Sequence, residues 1–480
     1  MKKKYVRWTL WTIASPFILF IILCILIYLP PIQNFLVDKA AVYASEATGM
    51  NISVGRISLS FPLNLVVTDV DAASPHNDTL LSVRRLQVNV QLLPLLKKQV
   101  EVDGISLQGA TVNSNDLIHG MKLNGTLGEL FISSHGVALD PETAIVNKVL
   151  LKDTDLSLCL NDTAAADTAA SDTTYWKIIL QDIDLQNVSF ALDMPLDSLS
   201  LAASLDNAIL RDGLIDLHKS AYSLQTFRIK NGRVRYDSGK PLAADSLPSG
   251  LDPSHIALTD IGVKLDSLYY EGRNMKAIIS QFVLKERSGV EIVSATGRMV
   301  SNDKVLRVPS LKLETRDSYL ELNAAMDWNA LDFKDEGLVS ARLMADIGKP
   351  DVVRFMGSMD EKFIRQYPSE PLRIRTGIEG DLNKLKLTTL TAELPGALGL
   401  FARGELTHLT DSLLRGGDIT LEAETKDLKF VSTLAEGIEI PYGTRLEGKF
   451  TMAGTKMGTD LLLMQPEAQA VVAADTIPIT

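Results

Sequence analysis

The chain has 480 residues and a formal net charge of −11, from 48 Lys and Arg against 59 Asp and Glu. Beyond residue 7 the basic residues are scattered, so there is no basic stripe to follow a phosphate backbone, and nucleic acid is excluded as a partner class. Two cysteines, Cys24 and Cys159, fall in regions of different character and leave no internal disulfide framework.

Residues 8–29 run from Trp8 to Leu29 without a charged side chain. About 20 apolar residues suffice to cross the hydrocarbon core as a helix. Lys2, Lys3, Lys4 and Arg7 precede the run, and Asp38 is the first charge after it. Positive charge stays on the cytoplasmic side, so residues 1–7 are expected inside and everything after residue 29 outside. A cleaved signal peptide is the other reading, but its apolar core is shorter, about 7–15 residues, with a small-residue cleavage site behind it. Here Pro30 and Pro31 follow instead. The expectation is a single-pass anchor. An exported chain without disulfides fits a bacterial inner membrane and periplasm.

Residues 30–49 carry helical periodicity: Ile32, Phe35, Leu36, Lys39, Ala40, Tyr43 and Ala47 share one stripe, and Gly49 supplies a stop. This helix either lies at the outer leaflet or packs on the first strands. From residue 50 the period becomes two, as in Leu86-Gln-Val-Asn-Val-Gln-Leu92, with Gly, Asn and Asp at the turns. Helical patterns are scarce, residues 351–359 and 429–436 being the best. Strands therefore do not alternate with crossover helices, and the expected fold is mainly β, an elongated repetitive antiparallel sheet. Residues 161–174 and 239–253 read as low-complexity loops inside the array.

A repeat runs through the strands: apolar residues recur in the order φ-x-φ-x-x-φ-x-φ-x-x-φ-x-φ. One copy is Val100, Val102, Ile105, Leu107, Ala110, Val112, and a second is Ile178, Leu180, Ile183, Leu185, Val188, Phe190. A third is Tyr222, Leu224, Phe227, Ile229, Gly232, Val234, and partial copies lie at Val149 to Leu156 and Ile256 to Val263. The extra residue at each x-x step flips the side chains to the other face, so a bulge or tight bend is needed there. Repeats of this kind stack into one-dimensional arrays. Val100, Val102, Ile105, Leu107, Val112, Ile178, Leu180, Ile183, Leu185, Val188, Phe190, Phe227, Ile229 and Val234 are the candidate lining of an apolar surface.

No catalytic constellation is legible. The chain has no Gly-x-Ser-x-Gly, no Gly-x-x-x-x-Gly-Lys and no His-Glu-x-x-His. The six histidines are far apart and are expected on loops or strand surfaces. Asp69/Asp71, Asp153/Asp155 and Asp182/Asp184 sit at i, i+2 on strands and read as solvated faces rather than calcium ligands. No enzyme, cofactor or metal is expected. A short Asp-Ser/Thr-apolar pattern, as in Asp78-Thr-Leu and Asp411-Ser-Leu, resembles the O-glycosylation acceptor of exported Bacteroides-group proteins.

In the order of its features the chain resembles the AsmA-like superfamily, and most of all its TamB branch, the inner-membrane subunit of the translocation and assembly module. The resemblance lies in the anchor, the juxtamembrane stretch Ile32-Gln-Asn-Phe-Leu-Val-Asp-Lys-Ala40, the stretch Thr48-Gly-Met-Asn-Ile-Ser-Val-Gly-Arg-Ile-Ser-Leu59, and Leu86-Gln-Val-Asn-Val-Gln-Leu-Leu-Pro-Leu-Leu96 followed by Val102-Asp-Gly-Ile-Ser-Leu107. It covers the first 240 residues; the rest follows by pattern only. It implies a U-shaped, β-taco-like groove with an apolar trough. It also implies a role in carrying phospholipids toward the outer membrane or assisting outer-membrane protein assembly. Longer members meet an outer-membrane barrel assembly partner through a C-terminal domain, a pattern this sequence departs from. Two readings stand at this point: a conduit for phospholipid acyl chains, and an anchored scaffold built on closed sandwiches with a dry core.

Overall fold

In a computed structural model of the chain, the described residues are 39, 41, 42, 45, 46, 48–60, 64–74, 78–91, 102–114, 120–138, 142–161, 175–239, 250–334, 337–356, 361–433, 442–465 and 468–478. The apolar run 8–29 lies outside them, as do 162–174 and 240–249. Among the described residues no helix is long and apolar enough to cross a membrane. Residues 39, 41, 42, 45, 46 and 48 are helical. Gly49 follows with φ +69°, its N–H donating to the Ser45 carbonyl at 2.9 Å, the geometry of a glycine C-cap.

The fold is mainly β, and the chain divides into two compact units, Met1–His218 and Lys219–Thr480. Unit 1 holds β1 (Asn51–Ser60), β2 (Asn64–Ala73), β3 (Thr79–Val90), β4 (Val102–Asn113), β5 (Met121–Ala138), β6 (Thr143–Leu160), β7 (Lys177–Met194) and β8 (Leu199–Asp216). Each strand pairs with the next in sequence. The expected antiparallel order needs one correction: β6 and β7 are parallel, Thr143 facing Lys177 and Leu158 facing Leu192. A parallel pair cannot be closed by a hairpin and needs a connection of about a dozen residues or more. The chain between Leu160 and Lys177 is long enough for such a connection.

Unit 2 holds β9 (Ala221–Leu224), β10 (Thr226–Ser238), β11 (His255–Glu271), β12 (Asn274–Glu286), β13 (Glu291–Ser301), β14 (Val305–Thr315), β15 (Tyr319–Asp327), β16 (Val339–Ile347), β17 (Leu372–Gly380), β18 (Lys384–Leu394), β19 (Leu398–Thr407), β20 (Gly416–Thr425), β21 (Arg445–Ala453), β22 (Lys456–Gln465) and β23 (Ala468–Pro478). From β10 on it is an antiparallel meander, and β9 extends β10 along the same partner, β11.

Helices are few, and the periodicity places them only in part. Short helices α1 (Trp328–Leu331), α2 (Lys349–Phe355) and α3 (Glu361–Gln366) interrupt the meander. The expected helix at 351–359 is present over 351–355 as part of α2, which starts two residues earlier because Gly348 is extended and Lys-Pro follows it; residues 357–359 lie outside the described residues. That at 429–436 is a 3-10 turn, Val431–Thr433, within the described residues. α2 lies across strand ends: Gly348 N–H donates to Ser318 Oγ at 3.0 Å, and the Arg354 carbonyl accepts from Leu251 N–H at 2.7 Å. Buried Asp351 ties it down by accepting from Thr315, from Ser318 Oγ at 2.6 Å and from Arg354 at 3.1 Å. Beside it, Phe363, Tyr367, Leu394, Ala397, Leu428 and Phe430 form a packed cluster in which the three rings contact edge to face or tilted.

Candidate functional site

Left-handed residues keep the apolar side chains together at one of the two x-x steps in each copy of the repeat. Asp153, Asn187, Asn231 and Asp260, with φ of +51°, +51°, +53° and +53°, each occupy the second position of an x-x step, and so does Gly109 at +62°. Asp69 takes the same place in β2, with φ +56°. A left-handed residue adds a local bend to the strand and returns the next apolar side chain to the original face. Asn, Asp and Gly tolerate that conformation best. The register lines these corners up. Lys152 faces Gln186 and Thr154 faces Val188, so Asp153 and Asn187 are neighbours, and Asn187 Nδ2 donates to Asp153 Oδ1 at 2.9 Å. On β5 the position beside Asp153 is Gly128, where a Cβ would come within 2.8 Å of the Asp153 Cβ.

With parity restored, apolar residues form rows that run across the strands. One row in unit 1 is Leu59, Leu65, Val88, Ile105, Ile132, Val149, Ile183 and Leu210, one residue from each of β1 to β8. The next is Ile57, Val67, Leu86, Leu107, Leu130, Leu151, Leu185 and Ala208. Beyond the corner, Val188 and Phe190 continue into Leu205 and Ala203 on one side and Thr154 and Leu156 on the other. On the opposite side of the pleat the row between these two is mixed, Ser58, Val66, Gln87, Ser106, Phe131, Leu150, Asp184 and Ile209, whereas the row beside the corners is polar throughout: Arg56, Thr68, Arg85, Gln108, Glu129, Lys152, Gln186 and Asn207. There Arg211 pairs with Asp182, and Asn207 Nδ2 donates to Asp184 Oδ1 at 3.0 Å, so two of the paired carboxylates are engaged on that face.

The apolar rows are not a closed core. No residue of the first row is buried; Ile105 is 36 % exposed, and Phe190 beyond the corner is 38 % exposed. In the second row only Ala208 is buried. The sandwich reading requires these side chains to be sealed by a second layer, and among the described residues of unit 1 they are not. Eight strands at about 4.8 Å make each row roughly 34 Å long.

Unit 2 repeats the arrangement. Ile229, Val263, Phe282, Ala295, Leu313, Leu320, Ala345, Ile374, Ala392, Leu400, Ala423, Leu446 and Leu463 form one row from β10 to β22. Ala295 and Ala345 are buried, while the larger members stay half-buried. On β11 the corner residue Asp260 holds Lys285 Nζ at 2.9 Å, and this hydrogen bond, with Glu291 adding its charge, raises the Lys285 pKa above the usual lysine value.

Of the candidate lining, Val100 lies outside the described residues, and Val102 pairs with Val90. Ile105, Leu107, Ile183, Leu185, Val188 and Phe190 stand in the rows above, and Val112 faces Leu81 and Gly125. Ile178 pairs with Ala144 and Ile215, and Leu180 with Val146 and Gly213. In unit 2, Phe227, Ile229 and Val234 face Leu265, Val263 and Leu258. The sequence reading named lining on β4, β7 and β10. It missed the matching positions on the other strands, for which plain alternation was the available signal and register the missing one.

One histidine departs from expectation. His255 is buried, with Nδ1 2.8 Å from Asp252 Oδ2. Among the described residues no group of three or more His, Cys, Asp or Glu gathers to hold a metal ion. No protein-family model, curated protein or solved structure matches the chain.

Proposed function

We propose that this protein is an inner-membrane-anchored, AsmA-like periplasmic carrier that holds phospholipid acyl chains along its apolar rows and moves them toward the outer membrane. The observation that supports this reading is the unbroken apolar row, one residue per strand, left half-exposed on one face of each unit. Exposing an acyl chain costs about 0.8 kcal/mol per methylene, so two chains crossing water meet a barrier near 20 kcal/mol. A surface that follows the chain across every strand removes most of that cost without any catalytic group. A row perpendicular to the strands gives translocation a continuous direction, whereas a lone pocket would hold a lipid in place. The aligned left-handed corners support a trough, because a line of bends at one height folds a sheet about that line.

The test is lipid mass spectrometry on the full chain purified without lipid-stripping detergent. Near-stoichiometric phospholipid is the expected result. Its absence, with the fold intact by circular dichroism, would overturn carriage in favour of an anchored scaffold assisting outer-membrane protein assembly.

A further inference from the structure

On the face of unit 2 opposite its apolar row, β14 to β17 form an open cleft of about 360 Å³. The register sets Arg307, Ala325, Ser340 and Glu379 side by side across the four strands. Arg307 and Glu379 are the two walls, three strand spacings or roughly 14 Å apart at the backbone, and the small Ala325 and Ser340 are the floor. Asp327 closes one end. Leu338 fixes it there: the Leu338 N–H donates to Asp327 Oδ2 at 3.3 Å, and the Leu338 carbonyl accepts from the Asp327 N–H at 2.8 Å. Among the described residues neither Arg307 nor Glu379 makes an ion pair or a side-chain hydrogen bond, although Glu379 faces Lys386 on β18. Elsewhere on this face opposite charges close on each other, Arg375 on Asp346 at 2.7 Å and Lys384 on Glu405 at 3.1 Å. The cleft is also polarised. Behind Arg307 the register continues through Val300 to Lys276, with Arg298 two residues from Val300 on the same side, so the β12–β14 wall is positive and the β15–β17 side negative.

We propose that this cleft binds a small zwitterion, with its oxyanion on Arg307 and its primary ammonium between Glu379 and Asp327. The floor carries the argument. Because only Ala325 and Ser340 lie between the walls, the guanidinium and the carboxylates stay apart, and a ligand bearing both charges satisfies both walls at once. A simple anion on Arg307 would face two carboxylates, and a simple cation on Glu379 would face a guanidinium backed by Lys276 and Arg298, so either half alone meets repulsion. The chemistry of the groups agrees. A guanidinium grips a carboxylate or phosphate through two parallel N–H bonds, and an ammonium offers three donors to carboxylate oxygens. The Ser340 hydroxyl adds a donor or acceptor on the floor. The volume lies at the small end of the range for ligand pockets, about 300–1,000 Å³, and suits a headgroup-sized molecule. A phosphoethanolamine headgroup on a lipid and a free amino-phosphate share this charge pattern. The cleft faces away from the apolar row, so its occupancy does not depend on acyl-chain carriage.

The experiment titrates the full chain, held in amphipol, with glycerophosphoethanolamine and follows binding by saturation-transfer nuclear magnetic resonance. Glycerophosphate and ethanolamine supply the two halves of the ligand. A second arm offers the headgroup as phosphatidylethanolamine in nanodiscs, with phosphatidylglycerol nanodiscs as the reference lacking the ammonium. The zwitterion is expected to bind several-fold more tightly than either half. Arg307→Gln and Glu379→Gln should each weaken it by about fivefold or more. Ser340→Tyr, which fills the floor and leaves both charges in place, should abolish binding. Arg403→Gln, an exposed cation on the same face outside the cleft, should leave it unchanged. Circular dichroism should be the same for all four variants. Binding in the soluble arm assigns a free ligand and binding only in the nanodisc arm a lipid headgroup; either supports the proposal when it needs both Arg307 and Glu379. Three results overturn it: no binding in either arm, glycerophosphate binding as tightly as the zwitterion and insensitive to Glu379→Gln, or an equal loss with Arg403→Gln. Co-purified phospholipid, the readout of carriage, is expected to persist in every variant, so the two readings can fail separately.

Discussion

Replacing Ile183 by Asp separates an open apolar surface from a packed core. Ile183 stands between Val149 and Leu210 in the first row of unit 1 and is half-buried. On an open sheet the change removes two cross-strand pairs, at about 0.2–1 kcal/mol each, and adds a β-propensity penalty of up to about 1 kcal/mol. The total is roughly 1–3 kcal/mol, because the carboxylate can reach water on the open side. In a dry core the same carboxylate would lose its hydration without a partner, at a cost of several kcal/mol or more, beyond what a typical domain withstands. The effect on lipid is the reverse. A carboxylate against an acyl chain costs about 2.5–3.5 kcal/mol, on the order of a hundredfold in local affinity. The assay pairs a urea midpoint with lipid mass spectrometry on the same preparation, and Gln186→Glu on the polar face serves as the control. The expected outcome is a small midpoint shift with lipid largely lost for Ile183→Asp and lipid retained for Gln186→Glu. Unfolding of Ile183→Asp, or full retention of lipid by it, would refute the reasoning.

Asn187→Val should destabilise unit 1 by about 1–2 kcal/mol in urea unfolding, because a β-branched residue resists the left-handed corner, while Asn187→Gly should cost only a few tenths to about 1 kcal/mol. Phe363→Ala in the packed cluster should cost about 3–5 kcal/mol and lower the urea midpoint of unit 2, since the ring is only 1 % exposed. The hydrogen bond from His255, with that from the Ser254 amide, holds the Asp252 carboxyl below its ordinary pKa of 3.8. A depressed folded-state value stabilises the fold above the unfolded pKa and is lost as pH falls through the folded one. Thermal melts should therefore show a stability decrease beginning below about pH 4. Asp252→Asn should flatten that part of the profile.

How far the residues alone reach is clearest at the x-x steps. Parity is a local property: alternation flips whenever one residue is added, so Asp153, Asn187, Asn231 and Asp260 can be located as corners from the spacing of Leu, Ile and Val around them. Mainly β structure follows from the same alternation, because a period of two puts all the apolar side chains of a strand on one face whatever its neighbour is. Neighbours are another matter. Ile105, Ile132, Val149 and Ile183 become a row through inter-strand hydrogen bonds between residues far apart in sequence, and sliding any strand by two residues would leave its own pattern unchanged. The same gap hid the parallel pairing of β6 with β7, since a polar segment after Leu160 is compatible with a long hairpin loop as well as a crossover. It also hid the burial of His255, although its partner Asp252 is only three residues away. Local spacing was sufficient for the periodicity, the corners and one apolar side per strand. Only the tertiary structure decided that those sides join into rows and stay half-exposed, because register and cover are set by contacts between segments rather than within them.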